Sequence, residues 1–359
     1  MASFNKVAPV LQSEKVHSDD FYYDLPEEFI AQNPAEPRDS SQLLIMDADS
    51  DSKEVARFIE IGQFLKTGDV IVVNNSKVYP AKYDAIKKET GDSIEVFLLR
   101  ELEPDVWEVQ VTSPRKVRIG NTIKFAEDLV CDVIDNTVSS GRVIQFQKSP
   151  DNIKERLYDI GKMPIPPYID REATSRDEEF YQSIFAKNTG SIAAPSAALH
   201  FSKDLVNELQ SKGIIFAELT IHLNLEGYET VTLSEIDKYS MNSEYYEIPV
   251  ETSTMINDGL DSGHKIIAAG ASVVRALMSS HFKGEKIIPK TGWTDLFIYP
   301  PYSFHLIDGL ITNFHHAQSP TLFLQSAFLG REKTLDAYQY ALERNFRFQA
   351  FGDAMLMFN

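Results

Sequence analysis

The sequence is poor in cysteine and in long apolar runs. Cys131 is the single cysteine among 359 residues, which excludes an intramolecular disulfide and a cysteine-rich zinc site and is typical of a reducing compartment. Its alternating surroundings, LVCDVI, predict a buried structural thiol. No run approaches the roughly 20 apolar residues of a membrane span, and no signal-peptide pattern begins the chain. We therefore expect a cytoplasmic protein without membrane association.

Positive charge is also scarce. The chain has 35 Lys and Arg against 53 Asp and Glu, a net charge of -18. Such a protein does not bind nucleic acid through its mean field, so a nucleic-acid partner must contact a local basic patch. The same field would attract a cationic small substrate. The alternative is that the acidity serves solubility.

Residues 66–149 consist of short β-patterned runs, from DVIVVN through SIEVFLLR to RVIQFQ, separated by evenly spaced glycines. This pattern is typical of a small antiparallel barrel or sandwich. The segment holds the best candidate for a basic patch, with solvated strand faces as the alternative. The basic patch is defined here as Lys87, Lys88, Arg115, Lys116 and Arg118.

Strand and helix patterns alternate after residue 150, which indicates an α/β domain. TDLFIYPPYSF and DGLITNFH are predicted as two of its strands. We expect a mixed α/β fold in which 1–65 and 150–359 form one large domain, with 66–149 as an inserted barrel. Residues 1–18 are predicted to be a loose extension.

Three stretches present candidate binding residues. GSIAAPSAALHF, at 190–201, combines small residues with Ser196 and His200, which favours close approach of a ligand; a packed crossover with a buried histidine is the alternative. Gly270 opens a turn before Ser272 and Arg275, where a plain strand-to-helix crossover is the alternative. Three prolines stiffen the segment before a further group of polar residues, which are Tyr168, Asp170 and Arg171.

Several long motifs together resemble one family. YDLPEEFIAQNPAEPRDSSQLL, GDVIVVNNSKVYPAK, GKMPIPPYIDR, GSIAAPSAALHF, TDLFIYPPYSF, DGLITNFH and FRFQAFGDAM are similar, in order and spacing, to the S-adenosylmethionine:tRNA ribosyltransferase-isomerases. The resemblance extends over nearly the whole chain from about residue 20. It implies a large α/β domain with an inserted β-barrel, no metal cofactor, and S-adenosylmethionine and tRNA as substrates.

The resemblance implies transfer and isomerisation of the ribosyl part of S-adenosylmethionine onto 7-aminomethyl-7-deazaguanine in tRNA. The product is epoxyqueuosine, and adenine and methionine are released. Such chemistry needs a base beside the sulfonium and an acid for departing adenine, and histidine suits both roles. The expected catalytic residues are His200, His315 and Arg275. The expected substrate-binding residues are Tyr168, Asp170, Arg171, Ser196, His222, Glu244, Ser272 and Asn313.

Some motifs differ from the family pattern. The family's glycine-rich run after His222 is replaced from Asn224 to Tyr228, and Tyr239 and Asn242 stand where the family has two histidines. Two alternatives therefore stay open: a diverged paralogue acting on another nucleoside or adenosyl compound, or a non-catalytic binding protein. A metal hydrolase is disfavoured because His315 and His316 are adjacent.

We predict that His200, Arg275 and His315 line one pocket. The residues expected at its border are Asn224, Glu226, Tyr239 and Asn242. A monomer is expected.

Overall fold

The computed structural model describes residues 16–112, 115–137, 141–147, 153–225, 230–280 and 286–359. In chain order its strands are β1 (Gln42–Asp47), β2 (Lys53–Arg57), β3 (Val70–Asn74), β4 (Ser76–Val78), β5 (Lys82–Lys87), β6 (Ser93–Glu103), β7 (Val106–Val111), β8 (Thr122–Ala126), β9 (Leu129–Asn136), β10 (Arg142–Phe146), β11 (Asn188–Ser191), β12 (Ile215–Ile221), β13 (Glu244–Ile248), β14 (Ile266–Ala269), β15 (Lys290–Thr294), β16 (Gly309–Asn313) and β17 (Ala354–Phe358).

The α-helices lie after the first ten strands. They are α1 (Ile153–Ile160), α2 (Asp177–Phe180), α3 (Lys203–Ser211), α4 (Val250–Asp261), α5 (Ala271–Ser280), α6 (Pro320–Leu329) and α7 (Arg331–Glu343). Serine side chains cap two of them: Ser202 Oγ accepts from the backbone of α3 and Ser319 Oγ from that of α6. Pro320 occupies the first turn of α6, where no intrahelical donor is lost.

One large mixed sheet has the strand order β15-β13-β12-β3-β14-β16-β17-β1-β2. Its centre, β12-β3-β14-β16, is parallel. These strands are buried on both faces, by α3 on one side and by α4 to α7 on the other. Because their carboxyl ends share one edge, the loops that follow β12, β14 and β16 converge there.

The second unit is a closed antiparallel barrel of strand order β10-β7-β6-β5-β8-β9. Its interior is apolar and includes Cys131, whose thiol is fully buried. The barrel runs from Lys82 to Phe146, so the inserted barrel predicted from the sequence forms, but its predicted start was wrong. VIVVN, which we placed in the barrel, is β3 at the centre of the large sheet.

Two other local predictions need correction. TDLFIYPPYSF was predicted as a strand, but the strand in this region is β15, and the described residues 295–304 contain none. Of the extension predicted for 1–18, residues 1–15 lie outside the described part. Ser18 is buried at the start of a short 3-10 helix, Ser18–Phe21, and Phe21 packs in the main core.

Candidate active site

A pocket of about 90 Å³ lies at the carboxyl edge of the parallel strands. The loop before Ser196, the turn between β14 and α5, the start of β13 and the end of β16 contribute to it. The polar residues that line it include Ser196, Asn224, Glu244, Ser272, Arg275 and His315. Residues 193–197, the turn that follows β14 and the end of β16 therefore share one cavity.

Small residues let the walls of the pocket approach each other. Ala193, Ala194 and Ala197 are buried in one wall. Gly270 in the opposite turn has φ +107°, a conformation that residues with a Cβ rarely adopt. Its backbone N–H donates to Ile311 O at 2.8 Å, which ties the turn to β16. The local sequence thus shapes the pocket through backbone geometry.

An ion pair between Glu244 and Arg275 forms one side of the pocket. Both side chains are at least nine-tenths buried. Arg275 Nη1 contacts Glu244 Oε2, and its Nε donates to Leu296 O at 2.8 Å. The other carboxylate oxygen accepts from the backbone N–H of Asn224 at 2.9 Å. These added hydrogen bonds compensate two charges that would otherwise be costly to bury.

His315 follows β16 and lines the pocket while a polar network holds its backbone. Its N–H donates to Tyr338 Oη at 2.9 Å, and Tyr23 Oη donates to its carbonyl. Burial, together with the neighbouring His316, lowers the pKa of His315 from 6.5 to about 3. The ring is therefore neutral at neutral pH, which is the form that can accept a proton.

His200 lies behind this pocket, which corrects the prediction of a common site. Among the described residues, Arg275 and His315 line the pocket and His200 does not. Its Nδ1 lies 2.8 Å from Ser41 Oγ and its Nε2 lies 3.3 Å from Asn313 Oδ1. The ring stacks on Phe58, and burial lowers its pKa to about 4. Asn313 is likewise buried, with its amide donating to Gln349 O at 3.0 Å.

The segment containing Tyr168, Asp170 and Arg171 also lies away from the pocket. None of the three is among the described residues that line the pocket or the groove below. Arg171 makes a two-pronged ion pair with the buried Asp177, at 2.8 and 2.7 Å. Its guanidinium therefore helps to hold this segment together, and substrate binding by Tyr168, Asp170 and Arg171 stays a prediction.

The pocket opens into a groove of about 1220 Å³ between the barrel and the large sheet. Leu223, Asn224, Met241 and Glu244 line both cavities. His222 lines the groove rather than the pocket, and its ring lies 2.6 Å from where a Cβ on Gly190 would be. A side chain at position 190 would therefore displace the ring.

The four residues expected at the border of the pocket do not share one location. Asn224 lines both, and Asn242 lines the groove. Tyr239 packs instead against Phe297 in the main core. Glu226 lies outside the described residues.

Sequence reasoning missed the groove residues Tyr245 and Trp293 because nothing in their local patterns marks them, and it treated Arg100 only as one of the basic residues of the barrel segment. Arg100 comes from barrel strand β6, whereas Tyr245 and Trp293 come from β13 and β15 of the large sheet. The structure brings them together across the groove. In the described parts of the chain, no group of three or more His, Cys, Asp or Glu side chains is arranged to hold a metal ion. The same parts contain no helix long and apolar enough to cross a membrane.

Comparison with known proteins agrees with this architecture. A family model described as "Queuosine biosynthesis protein" matches residues 18–357. Two relatives named S-adenosylmethionine:tRNA ribosyltransferase-isomerase are 41% identical: that of Chloroherpeton thalassium over 94% of this chain and 99% of its own, and that of Parabacteroides distasonis over 94% and 98%.

A solved structure shows the same relationship. The S-adenosylmethionine tRNA ribosyltransferase of Thermotoga maritima is 33% identical, with a TM-score of 0.54 over 94% of this chain and 99% of that one. The resemblance seen in the motifs thus extends over nearly the whole chain, and the chain belongs to the queuosine biosynthesis protein family.

Proposed function

We propose that this protein is an S-adenosylmethionine:tRNA ribosyltransferase-isomerase. It transfers the ribosyl part of S-adenosylmethionine to 7-aminomethyl-7-deazaguanine in tRNA, isomerises it to give epoxyqueuosine, and releases adenine and methionine. Relatives of 41% identity that span nearly the whole chain carry this name. Membership of the family supports this function over a non-catalytic scaffold.

The buried Glu244–Arg275 pair is the observation that supports the proposal most directly. S-adenosylmethionine carries a sulfonium cation, and in a pocket of low dielectric the carboxylate oxygens of Glu244 interact with a cation at short range, although Arg275 offsets part of their charge. We assign Glu244 to the sulfonium. Arg275 holds that carboxylate in place, so its role at the reaction is that of a positioning residue. Ser196 and Ser272 supply hydroxyls to polar parts of the substrate.

His315 is the proposed proton acceptor beside the sulfonium. It lines the same pocket as Glu244, and its ring is in the neutral form that a base requires. The burial that keeps it neutral also weakens it as a base, so taking a proton from the carbon next to sulfur requires a nearby negative charge that stabilises the imidazolium. His200 and Asn313 act one layer behind, where they support the end of β16. His222 faces the groove, where the tRNA would enter.

We further propose where the tRNA binds and in which compartment the enzyme acts. The tRNA binds in the groove, since its volume exceeds that of the pocket and it leads to Glu244. The single cysteine and the tRNA substrate support a cytoplasmic enzyme. The monomeric state stays a prediction.

The test is incubation with S-adenosylmethionine and a tRNA that carries 7-aminomethyl-7-deazaguanine, with adenine release and nucleoside mass as readouts. We expect stoichiometric adenine and epoxyqueuosine. Glu244→Gln should lower kcat/KM at least 100-fold, since one well-placed electrostatic group typically contributes about 100- to 1000-fold. Glu247→Gln, on the exposed face of the same strand, is the matched control and should retain wild-type activity.

The result that overturns the proposal is equally clear. Wild-type protein that binds S-adenosylmethionine and releases no adenine with this tRNA would favour a paralogue with another acceptor. The free energy of unfolding of Glu244→Gln must be measured alongside, because breaking a buried pair typically costs about 3–5 kcal/mol. Activity is therefore compared at a temperature where both variants are folded.

A further inference from the structure

We propose that a row of side chains along the groove stacks on an RNA base that neighbours the modified nucleotide. The row is defined as His222, Tyr245, Trp293 and Arg100, and we call it the stacking row. The inference rests on the proposed function, since it assigns part of the tRNA to a surface beside the same pocket.

The rings of the stacking row are in contact. His222 lies nearly parallel to Tyr245, with ring centroids 5.6 Å apart and planes 20° apart. Tyr245 meets Trp293 edge-on at 5.7 Å. The guanidinium of Arg100, reaching across from the barrel, lies 4.6 Å from the Trp293 ring centroid. All four line the groove, so the row spans from the large sheet to the barrel.

Trp293 leaves a large apolar surface in contact with solvent. It lies on β15, the edge strand of the large sheet, and 52% of it is exposed. Burying an aromatic side chain would contribute favourably to folding, yet this ring stays uncovered over about half of its surface. Exposed aromatic surface next to a cavity is a common mark of a binding site.

The charges around the groove favour a flat, uncharged partner. Arg100 pairs with Glu108 and Lys154 with Glu101, and both cations line the groove. With these cations paired to carboxylates, the groove wall offers little net attraction to phosphate. Aromatic rings and an arginine plane are the groups on which proteins stack unpaired RNA bases.

His222 adds a polar contact at the inner end of the row. Its Nδ1 is buried and has no hydrogen-bond partner among the described residues. Burial also lowers the pKa of the ring, which favours the neutral form. A hydrogen bond between this nitrogen and a base edge requires rotation of the ring, because the atom is covered by protein.

The position of the row indicates that it binds a base next to the modified nucleotide. Leu223 and Asn224, which directly follow His222, line both the groove and the pocket. A strand of RNA that places one nucleotide at Glu244 therefore passes the stacking row with an adjacent nucleotide. The row would thereby hold the register of the anticodon loop against the pocket.

A fluorescent base analogue tests this directly. Anticodon stem–loops carrying 2-aminopurine on either side of the modified nucleotide are titrated with wild-type protein. We expect quenching at one of the two positions, because stacking on an indole quenches this probe. Trp293→Ala should abolish the quenching and weaken RNA binding about 10-fold, a change that corresponds to about 1.4 kcal/mol. Trp293→Phe should keep most of both.

Controls separate stacking from folding and from function. Tyr22→Ala removes another exposed aromatic, outside the residues that line the groove, and should change neither readout. Thermal unfolding and S-adenosylmethionine affinity should be unchanged in Trp293→Ala. If that variant quenches and binds RNA as wild type does while the enzyme is active, the stacking row is overturned and the function stands. Quenching by a wild type that releases no adenine would keep the row and overturn the function. A wild type that binds no RNA overturns both.

Discussion

The individual histidines of this protein differ in role because their surroundings differ. His200 and His315 are both buried and neutral, but His315 lines the pocket whereas His200 joins Ser41 to Asn313 behind it. Sequence alone placed both at the chemistry because each follows a strand or small-residue loop. Whether a ring points into a cavity depends on packing partners such as Phe58, which lies far from His200 in the sequence.

The pH dependence of stability follows from the lowered pKa of His200. The unfolded chain takes up this proton near 6.5, and the folded protein near 4. Between these values the unfolded chain binds more protons, so the free energy of unfolding falls as the pH is lowered from 6.5 towards 4. One such histidine contributes a slope of up to about 1.4 kcal/mol per pH unit.

Replacing His200 by Gln should therefore remove about 1.4 kcal/mol per pH unit from that slope between pH 6 and 5. Glutamine keeps a hydrogen-bonding side chain toward Asn313 but does not titrate. Urea unfolding of wild type and variant at several pH values measures the slope. An unchanged slope would contradict the burial that holds His200 neutral.

At the scale of secondary-structure elements, turns determine the shape of the pocket. The step from β14 to α5 depends on Gly270, whose added Cβ would meet Ala197 and Ser272 only at an ordinary 3.6 Å. Position 270 therefore requires glycine because of its backbone conformation, with φ at +107°, and not because of lack of space. The sequence indicated this turn correctly, because a strand pattern, a glycine and a helix pattern are local signals.

We predict that Gly270→Ala destabilises the protein by about 1–3 kcal/mol, the usual cost of a strained backbone position. It should also weaken S-adenosylmethionine binding, because relaxing the turn moves Ser272 and Arg275. Gly292→Ala is the matched control: its Cβ would also meet a neighbour at an ordinary distance, 3.8 Å, and no positive φ applies. Equal stability of the two variants, by urea unfolding, would show that the turn accommodates alanine.

The elements also show where sequence patterns stop being informative. Five of the six barrel strands alternate buried residues with less buried ones, so their period of two predicts them. β3 is instead a continuous apolar run, VIVVN, buried throughout. Such runs are typical of central parallel strands, and that signal distinguishes β3 from its barrel neighbours. Arg100 and Trp293 had no signal of this kind, because their contact joins two distant elements.

At the scale of the whole molecule, the basic patch and the groove lie at opposite ends of the barrel strands. Lys87 Nζ donates to Lys116 O at 2.9 Å, which gathers the patch at the turn between β5 and β6. The groove wall begins at Leu98 of β6. At about 3.3 Å per residue, these points are roughly 15 Å apart along the strand. A patch at this distance can contact tRNA outside the loop that enters the groove.

Charge reversal at Arg115 and Lys116 should therefore weaken binding of full-length tRNA more than binding of the isolated anticodon stem–loop. The logarithmic salt dependence for full-length tRNA should become shallower by about 1 for each phosphate that the patch no longer neutralises. Affinity measured across a salt series gives both quantities. Unchanged full-length tRNA affinity would exclude the patch.

The strand order has a consequence for how the chain acquires its structure during synthesis. The barrel is contiguous from Lys82 to Phe146, so it can close while the rest of the chain is still being made. β1, by contrast, finds its parallel partner in β17, far later in the chain, and β3 must wait for β12 and β14. β1 can pair early with β2, but its other edge and both edges of β3 stay open until these later strands are made, beside a barrel that can already close. Contacts of such long sequence separation form slowly. We therefore expect the pocket, which needs the ends of β14 and β16, to form late in folding.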